Sequence, residues 1–209
     1  MTKKPLVLAT RNQGKISEFR EFLSNVDIQI KSLNDFGPIP PIVEDGKSFE
    51  DNAYKKASLT AKTLGFPALA DDSGLVVNAL GGAPGVHSAR YAGEGARDEA
   101  NNEKLLREMR GVKDRSAAFE CVIAIAVPRG PALIYEARCE GKITTKPMGE
   151  GGFGYDPVFY YPPLKKTFAQ MSREEKNNVS HRGKVLAELR NEFDKVLIWL
   201  EQRLGEEPF

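Results

Sequence analysis

The chain has 209 residues, with 30 Lys and Arg against 29 Asp and Glu and a net charge of +1. That length suits one large domain or two tightly packed lobes, and so balanced a charge excludes bulk attraction to nucleic acid or an anionic membrane. The opening "MTKKPLVLATRNQGK" turns polar after about five apolar positions, too few for a signal-peptide core or a membrane span, and the two cysteines, Cys121 and Cys139, fit reduced thiols in strands, so a cytoplasmic protein is expected.

"PLVLA" (residues 5–9) reads as a strand. It runs into the polar turn "TRNQG" and then the helical pattern "KISEFREFLSN", with Ile16, Phe19, Phe22 and Leu23 at helical spacing. Free backbone N–H groups, the positive end of a helix dipole and Lys15 converge on this turn, so Thr10, Arg11, Asn12, Gln13, Gly14 and Lys15 form a candidate anion site. The ordinary alternative is a polar strand-to-helix turn. The spacing is not that of a Walker loop.

A second helix is expected from "SFED", where Ser48 caps and Asp51 completes a capping box; Gly65 and Pro67 end it. It leads into "ALADDSGLVVNAL" (residues 68–80), two apolar runs on either side of a turn carrying Asp71, Asp72 and Ser73. An ionised carboxylate in such a setting costs several kcal/mol unless offset, so a cation is expected beside it. Oxygen ligands of this kind suit Mg²⁺, and Glu44 in "IVEDG" precedes a helix that can return it to the same end of the sheet. A capped turn with its aspartates bonded to backbone N–H groups is the competing reading.

"RDEANNEKLLREMRG" (residues 97–111) is helical in pattern. "AAFECVIAIAV", "PALIYEARC" and "GKITTK" then read as strands joined by tight turns, an antiparallel section. "GEGGFG" has Gly149, Gly151 and Gly154 at dinucleotide-fingerprint spacing, but "YDPVFYYP" follows, a strand-like segment where the fingerprint needs a helix. The glycines instead permit close approach of something flat beside Phe153 and Tyr155, or make a turn with core aromatics. "SREEKNNVSHRGK" gathers Lys176, His181, Arg182 and Lys184 about the start of a last helix at Ser180. Cations there oppose the helix dipole, which points to a ligand that needs donors, against a solvated charge cluster. That helix carries Val185, Leu186, Leu189, Phe193, Val196, Leu197 and Leu200 on one stripe. With no repeat or low-complexity tract, the pattern is α/β with a mixed sheet.

Taken in order, "LATRNQGK", "VEDGKSFEDNAYKKA", "ADDSGL", "GGAPGVHSARY", "GEGGFGYDPVF" and "SREEKNNVSHRGK" closely resemble the inosine triphosphate pyrophosphatase family, from Leu6 to about Leu189. The resemblance implies one pyrophosphatase-like domain over residues 1–209, with two α/β lobes around a long central cleft. It also implies hydrolysis of ITP, dITP and XTP between the α and β phosphates, with Mg²⁺ and as a homodimer. Carried over by position, Thr10 to Lys15 and Lys56 resemble the triphosphate grip, Glu44 and Asp72 the metal ligands, and Asp72 also the catalytic carboxylate. Ser73 is similar to a substrate-contacting serine. Phe153, Gly154, Tyr155 and Asp156 resemble the segment that holds the base, with Phe153 stacking on it, and Lys176, His181 and Arg182 the residues that read its edge. Arg11 stands where the family more often has a small residue, and Asp71 receives no role.

Two other classes compete. A non-catalytic nucleotide-binding regulator would use the same phosphate grip, but the paired acidic motif weighs against it. A single-strand nucleic-acid binder using Phe153, Tyr155, Tyr160 and Tyr161 would want a broad basic groove, which the charge does not supply. The expected partner is a purine nucleoside triphosphate, with no nucleic acid and no membrane.

Overall fold

The computed structural model describes residues 5–26, 28–40 and 42–205; Met1 to Lys4, where the polar opening of the chain begins, lie outside the described residues. Among the described residues, seven strands form one sheet in the order β2-β1-β3-β4-β5-β6-β7. These are β1 (Leu6–Leu8), β2 (Ile30–Ser32), β3 (Ala68–Val77), β4 (Ser116–Ala126), β5 (Ala132–Ile143), β6 (Phe159–Tyr161) and β7 (Lys166–Thr167). β1 pairs parallel to both β2 and β3, whereas β6 pairs antiparallel to β5 and β7. β4 and β5 are sheet neighbours joined by residues 127–131, a link too short for the crossover that parallel strands need. The expected mixed α/β architecture is therefore what the chain adopts.

Contacts divide the chain into two units. The first holds residues 1–72, 122–136 and 185–209, the second residues 73–121 and 137–184.

In the first unit, helix α1 (Gln13–Phe22) follows β1, and helix α2 (Phe49–Leu64) precedes β3. The Ser48–Asp51 capping box forms as expected, and Gly65 ends α2 in the left-handed conformation at φ 73°. Ala53, Ala57 and Ala61 recur every fourth residue and are fully buried, so α2 packs through small side chains. That close approach also buries the adjacent stripe of Asn52, Lys56 and Thr60, polar groups that need partners. Helix α5 (His181–Leu204) places Val185, Leu189, Phe193, Val196 and Leu200 in the core, each worth about 1.5–3 kcal/mol of burial. Leu186 and Leu197, read on the same stripe, are only half-buried.

The second unit is built on helix α3 (Asp98–Glu108) and a core that includes Leu75, Leu105, Met109, Phe119, Tyr155, Phe159 and Phe168. Helix α4 (Arg173–Val179) starts at a Ser172–Glu175 capping box, and the Ser180 hydroxyl accepts the Gly183 N–H (3.0 Å) where α5 begins.

Three expectations are corrected. Residues 71–73 make no turn: β3 runs through them without a break, because lysines compensate its two carboxylates in place. "PALIYEARC" and "GKITTK" are one strand up to Ile143, since Gly141 is not a turn glycine; a Cβ there would strike the Phe159 ring and the Tyr160 carbonyl. "YDPVFYYP" is extended only at β6, with Tyr155 and Asp156 held in a turn before it.

Cys121 and Cys139 are reduced thiols, not disulfide-bonded, and both are fully buried; burial pushes the Cys139 thiol up to about 11. A disulfide-type thiol reagent at pH 8 should therefore label the native protein far more slowly than the denatured one. Rapid reaction of Cys139 in the native state would contradict this burial.

Candidate active site

In the first unit, two acid–base pairs meet on β3. Lys15 Nζ lies 2.9 Å from Asp71 Oδ2, and Lys56 Nζ lies 3.0 Å from Asp72 Oδ1. These are the cations that the buried carboxylates required. Lys56 Nζ also reaches Glu44 Oε1 at 3.4 Å, so Glu44 and Asp72 converge on one ammonium. Burial works against the Lys56 charge, yet the attraction of Asp72, Glu44 and Asp71 outweighs it and raises its pKa. At Asp72 burial wins and raises the carboxyl above its usual range, against the pull of Lys56.

Asn52 went unnoticed in the sequence. Its Nδ2 donates to Asp72 Oδ2 at 3.1 Å and its Oδ1 accepts the Gly46 N–H at 2.8 Å, tying the Glu44 loop to the aspartate. The available signal was its place four residues before Lys56 on the same helix.

The Thr10–Lys15 turn closes on itself. Thr10 Oγ1 accepts the Asn12 N–H and Asn12 Oδ1 accepts the Lys15 N–H, both at 3.1 Å, so Asn12 is the cap of α1. Gln13 and Gly14 supply exposed backbone in the first turn. Arg11 leans on Asn34, which receives its Nη1 at 3.5 Å and donates to its carbonyl at 3.4 Å.

Among the described residues no group of three or more metal-ligating side chains stands out. Two carboxylates sharing one cation are nonetheless the donor set that Mg²⁺ uses when water and phosphate complete its shell, so Glu44 and Asp72 fit that ion.

The second unit holds the aromatic group. Phe153 is 58% exposed, with Lys176 Nζ 4.4 Å from its ring centroid. Buried Asp156 accepts the Phe153 N–H at 2.9 Å and is paired with Lys176. Tyr155 is different. Its ring is in the core and its hydroxyl donates to the Ser88 carbonyl at 2.8 Å, which makes it an anchor of the segment. Burial raises its pKa, so the hydroxyl stays protonated. His181 is buried with its ring flat on Phe119, centroids 4.7 Å apart. Arg182 Nη2 donates to Ser73 Oγ at 3.2 Å. Lys176, read with the last helix, belongs to α4.

The first unit thus carries carboxylate–ammonium pairs on β3, and the second carries an exposed aromatic ring with donors on α4 and at the start of α5. The Ham1 family profile matches residues 6–192, and the chain belongs to that family. The resemblance drawn from the six motifs is thereby borne out. Over 202 residues it is 63% identical to the dITP/XTP pyrophosphatase of Syntrophobacter fumaroxidans, covering 97% of this chain and 87% of that one. It is 62% identical to that of Desulfotalea psychrophila, covering 97% and 91%. Among solved structures it is similar to a HAM1 protein from Coxiella burnetii, with TM-score 0.88, 42% identity and coverage of 92% of this chain and 99% of that one.

Proposed function

We propose that this chain hydrolyses deaminated purine nucleoside triphosphates, ITP, dITP and XTP, between the α and β phosphates, releasing the monophosphate and pyrophosphate. The observation that carries the reading is the buried Asp72 carboxylate held by Lys56 and Asn52, with Glu44 on the same ammonium. The names of its close relatives, dITP/XTP pyrophosphatases, support the substrate class.

Mg²⁺ bound by Glu44 and Asp72 would neutralise phosphate oxygens and orient the triphosphate. Asp72 takes a proton from the water that attacks the α-phosphorus; burial holds its carboxyl above the usual range, which makes it a stronger base than an exposed aspartate. Lys15 and Lys56 hold the charge that grows on the pyrophosphate leaving group, with Lys15 fixed in turn by Asp71. The first-turn backbone of α1 at Gln13 and Gly14 adds donors for phosphate, with Thr10 and Asn12 holding the turn in shape and Arg11 adding a cation at its edge. Phe153 stacks on the base, Gly154 to Asp156 and Lys176 hold that platform, and Arg182, His181 and Ser73 complete its surroundings. Residues 1–209 act as one catalytic domain.

The resemblance also brings Mg²⁺ dependence, a homodimer and a cytoplasmic location into this proposal. The near-neutral charge supports a small-molecule substrate over nucleic acid, and among the described residues no helix is long and apolar enough to cross a membrane.

The test is purified protein with ITP and Mg²⁺, pyrophosphate and orthophosphate being measured separately. IMP and pyrophosphate are expected in equal amounts. IDP and orthophosphate as first products would place cleavage at the γ-phosphate and overturn the reading.

Asn52→Ala should raise the Mg²⁺ concentration for half-maximal activity by about tenfold or more, the usual cost of losing a partner that orients a metal ligand. Saturating Mg²⁺ should restore most of the turnover. A normal Mg²⁺ titration curve would remove Asn52 from the site.

A further inference from the structure

The platform residue Phe153 stands next to Gly154, and both polar groups of Gly154 are held by one helix face. Asp98 Oδ2 accepts the Gly154 N–H at 2.5 Å, and Asn102 Nδ2 donates to the Gly154 carbonyl at 2.9 Å. Asp98 and Asn102 are four residues apart on α3, so they project side by side. Gly154 sits at φ +60°, a left-handed conformation, with nothing within 4 Å of the place a Cβ would take. Space does not dictate that conformation there; the two hydrogen bonds do. On the other side of the same short segment, Asp156 takes the Phe153 N–H.

The helix that holds Gly154 is itself fixed. Asn101 accepts the Ala92 N–H at 2.7 Å and donates to the Ala89 carbonyl at 3.3 Å, and Tyr155 is bonded to Ser88 in the same stretch. Asn102 is buried, and its orientation is set: turned over, it would face the Gly154 carbonyl with a second acceptor.

We infer that Asp98 and Asn102 are positioning residues for base recognition, clamping the Gly154 peptide so that the Phe153 ring is presented in one orientation before substrate arrives. The inference rests on the proposed role of Phe153 as the base platform. A platform held in advance spares the bound state the ordering of a mobile side chain, so the clamp acts on substrate binding and not on the phosphate chemistry. Asp98 is exposed at the first position of α3, so its replacement leaves the fold intact.

The test compares Asp98→Ala, Asn102→Ala and Asp98→Asn, each alone and combined with Phe153→Ala. KM and kcat for ITP and inhibition by added pyrophosphate are read for each. Stacking on an aromatic is worth enough that Phe153→Ala should raise KM about tenfold or more. Asp98→Ala and Asn102→Ala should each raise KM about fivefold to tenfold with kcat within about threefold of wild type and unchanged pyrophosphate inhibition, since the lesion lies at the base end. Asp98→Asn keeps an acceptor and should stay within about twofold of wild-type KM. In the Phe153→Ala background the clamp variants should add less than about twofold, because they act through that ring.

A KM unchanged by Asp98→Ala and Asn102→Ala, while Phe153→Ala raises it, would overturn the clamp and leave the platform standing. So would clamp effects that persist in full without Phe153, or that weaken pyrophosphate inhibition equally. An unchanged KM in Phe153→Ala itself would overturn the platform reading, and the clamp with it.

Discussion

Asp72→Asn is expected to lower turnover of ITP by at least about two orders of magnitude, the range seen when a general base is lost. The substitution keeps the size of the side chain and its ability to accept one hydrogen bond, so Lys56 or Asn52 still finds a partner. What disappears is the negative charge that holds a proton from water and a place on the metal. The fold should survive, because burial already disfavours the Asp72 charge and Glu44 remains beside Lys56. Thermal melts separate these effects. Mg²⁺ at about tenfold over its dissociation constant should raise the wild-type Tm by about 3–5 °C, and the rise should shrink in Asp72→Asn. A variant with near-normal turnover at saturating Mg²⁺ would remove Asp72 from the chemistry.

Arg182→Ala is expected to change which bases are accepted. Hypoxanthine and xanthine present an acceptor oxygen at position 6, which a guanidinium meets with a charge-assisted hydrogen bond, whereas adenine presents an amino donor there. One Arg182 donor goes to Ser73 Oγ, which fixes the guanidinium next to the strand residue that follows Asp72. With ATP, donor faces donor, at about 1–3 kcal/mol or more where a charged group is involved. The variant should therefore lose about 30-fold to 100-fold in kcat/KM for ITP and XTP but no more than about fivefold for ATP, narrowing the selectivity. An equal loss for all three nucleotides would mean that Arg182 grips phosphate or supports structure.

How much of this was legible in the sequence depends on how local each signal is. The start and end of α2 were readable, because Ser48, Asp51 and Gly65 act within a turn of one another. The buried stripe of α5 was readable from its period, though Leu186 and Leu197 belong to its edge. β3 was misread as two runs and a turn because its partners come from elsewhere: Lys15 and Lys56 make two adjacent aspartates tolerable within a strand, and no window of strand propensity contains them. Gly141 misled for a similar reason, the crowding by Phe159 being long-range. β2 and β7 are three and two residues long, too short for periodicity to register, while β6 was read only as part of the longer strand-like "YDPVFYYP". α4 had a signal, the S-x-x-E of Ser172 and Glu175, which the surrounding charges masked.

The site followed the same division. A cation beside Asp71 and Asp72 was required by electrostatics alone, and the structure supplies one to each. The role proposed for the site came from the order of six motifs. The supporting contacts of Asn52, Asp98 and Asn102 came from neither, since each is an uncharged or surface polar residue whose partner lies on a different element.

The central claim is that water attacks the α-phosphorus. Hydrolysis of ITP in ¹⁸O-labelled water tests it most directly, with both products examined by mass spectrometry after one turnover. The label should appear in the phosphate group of IMP, with the pyrophosphate unlabelled. Label in pyrophosphate would place the attack on the β-phosphorus, and label in orthophosphate at the γ-phosphorus; either result would contradict the account.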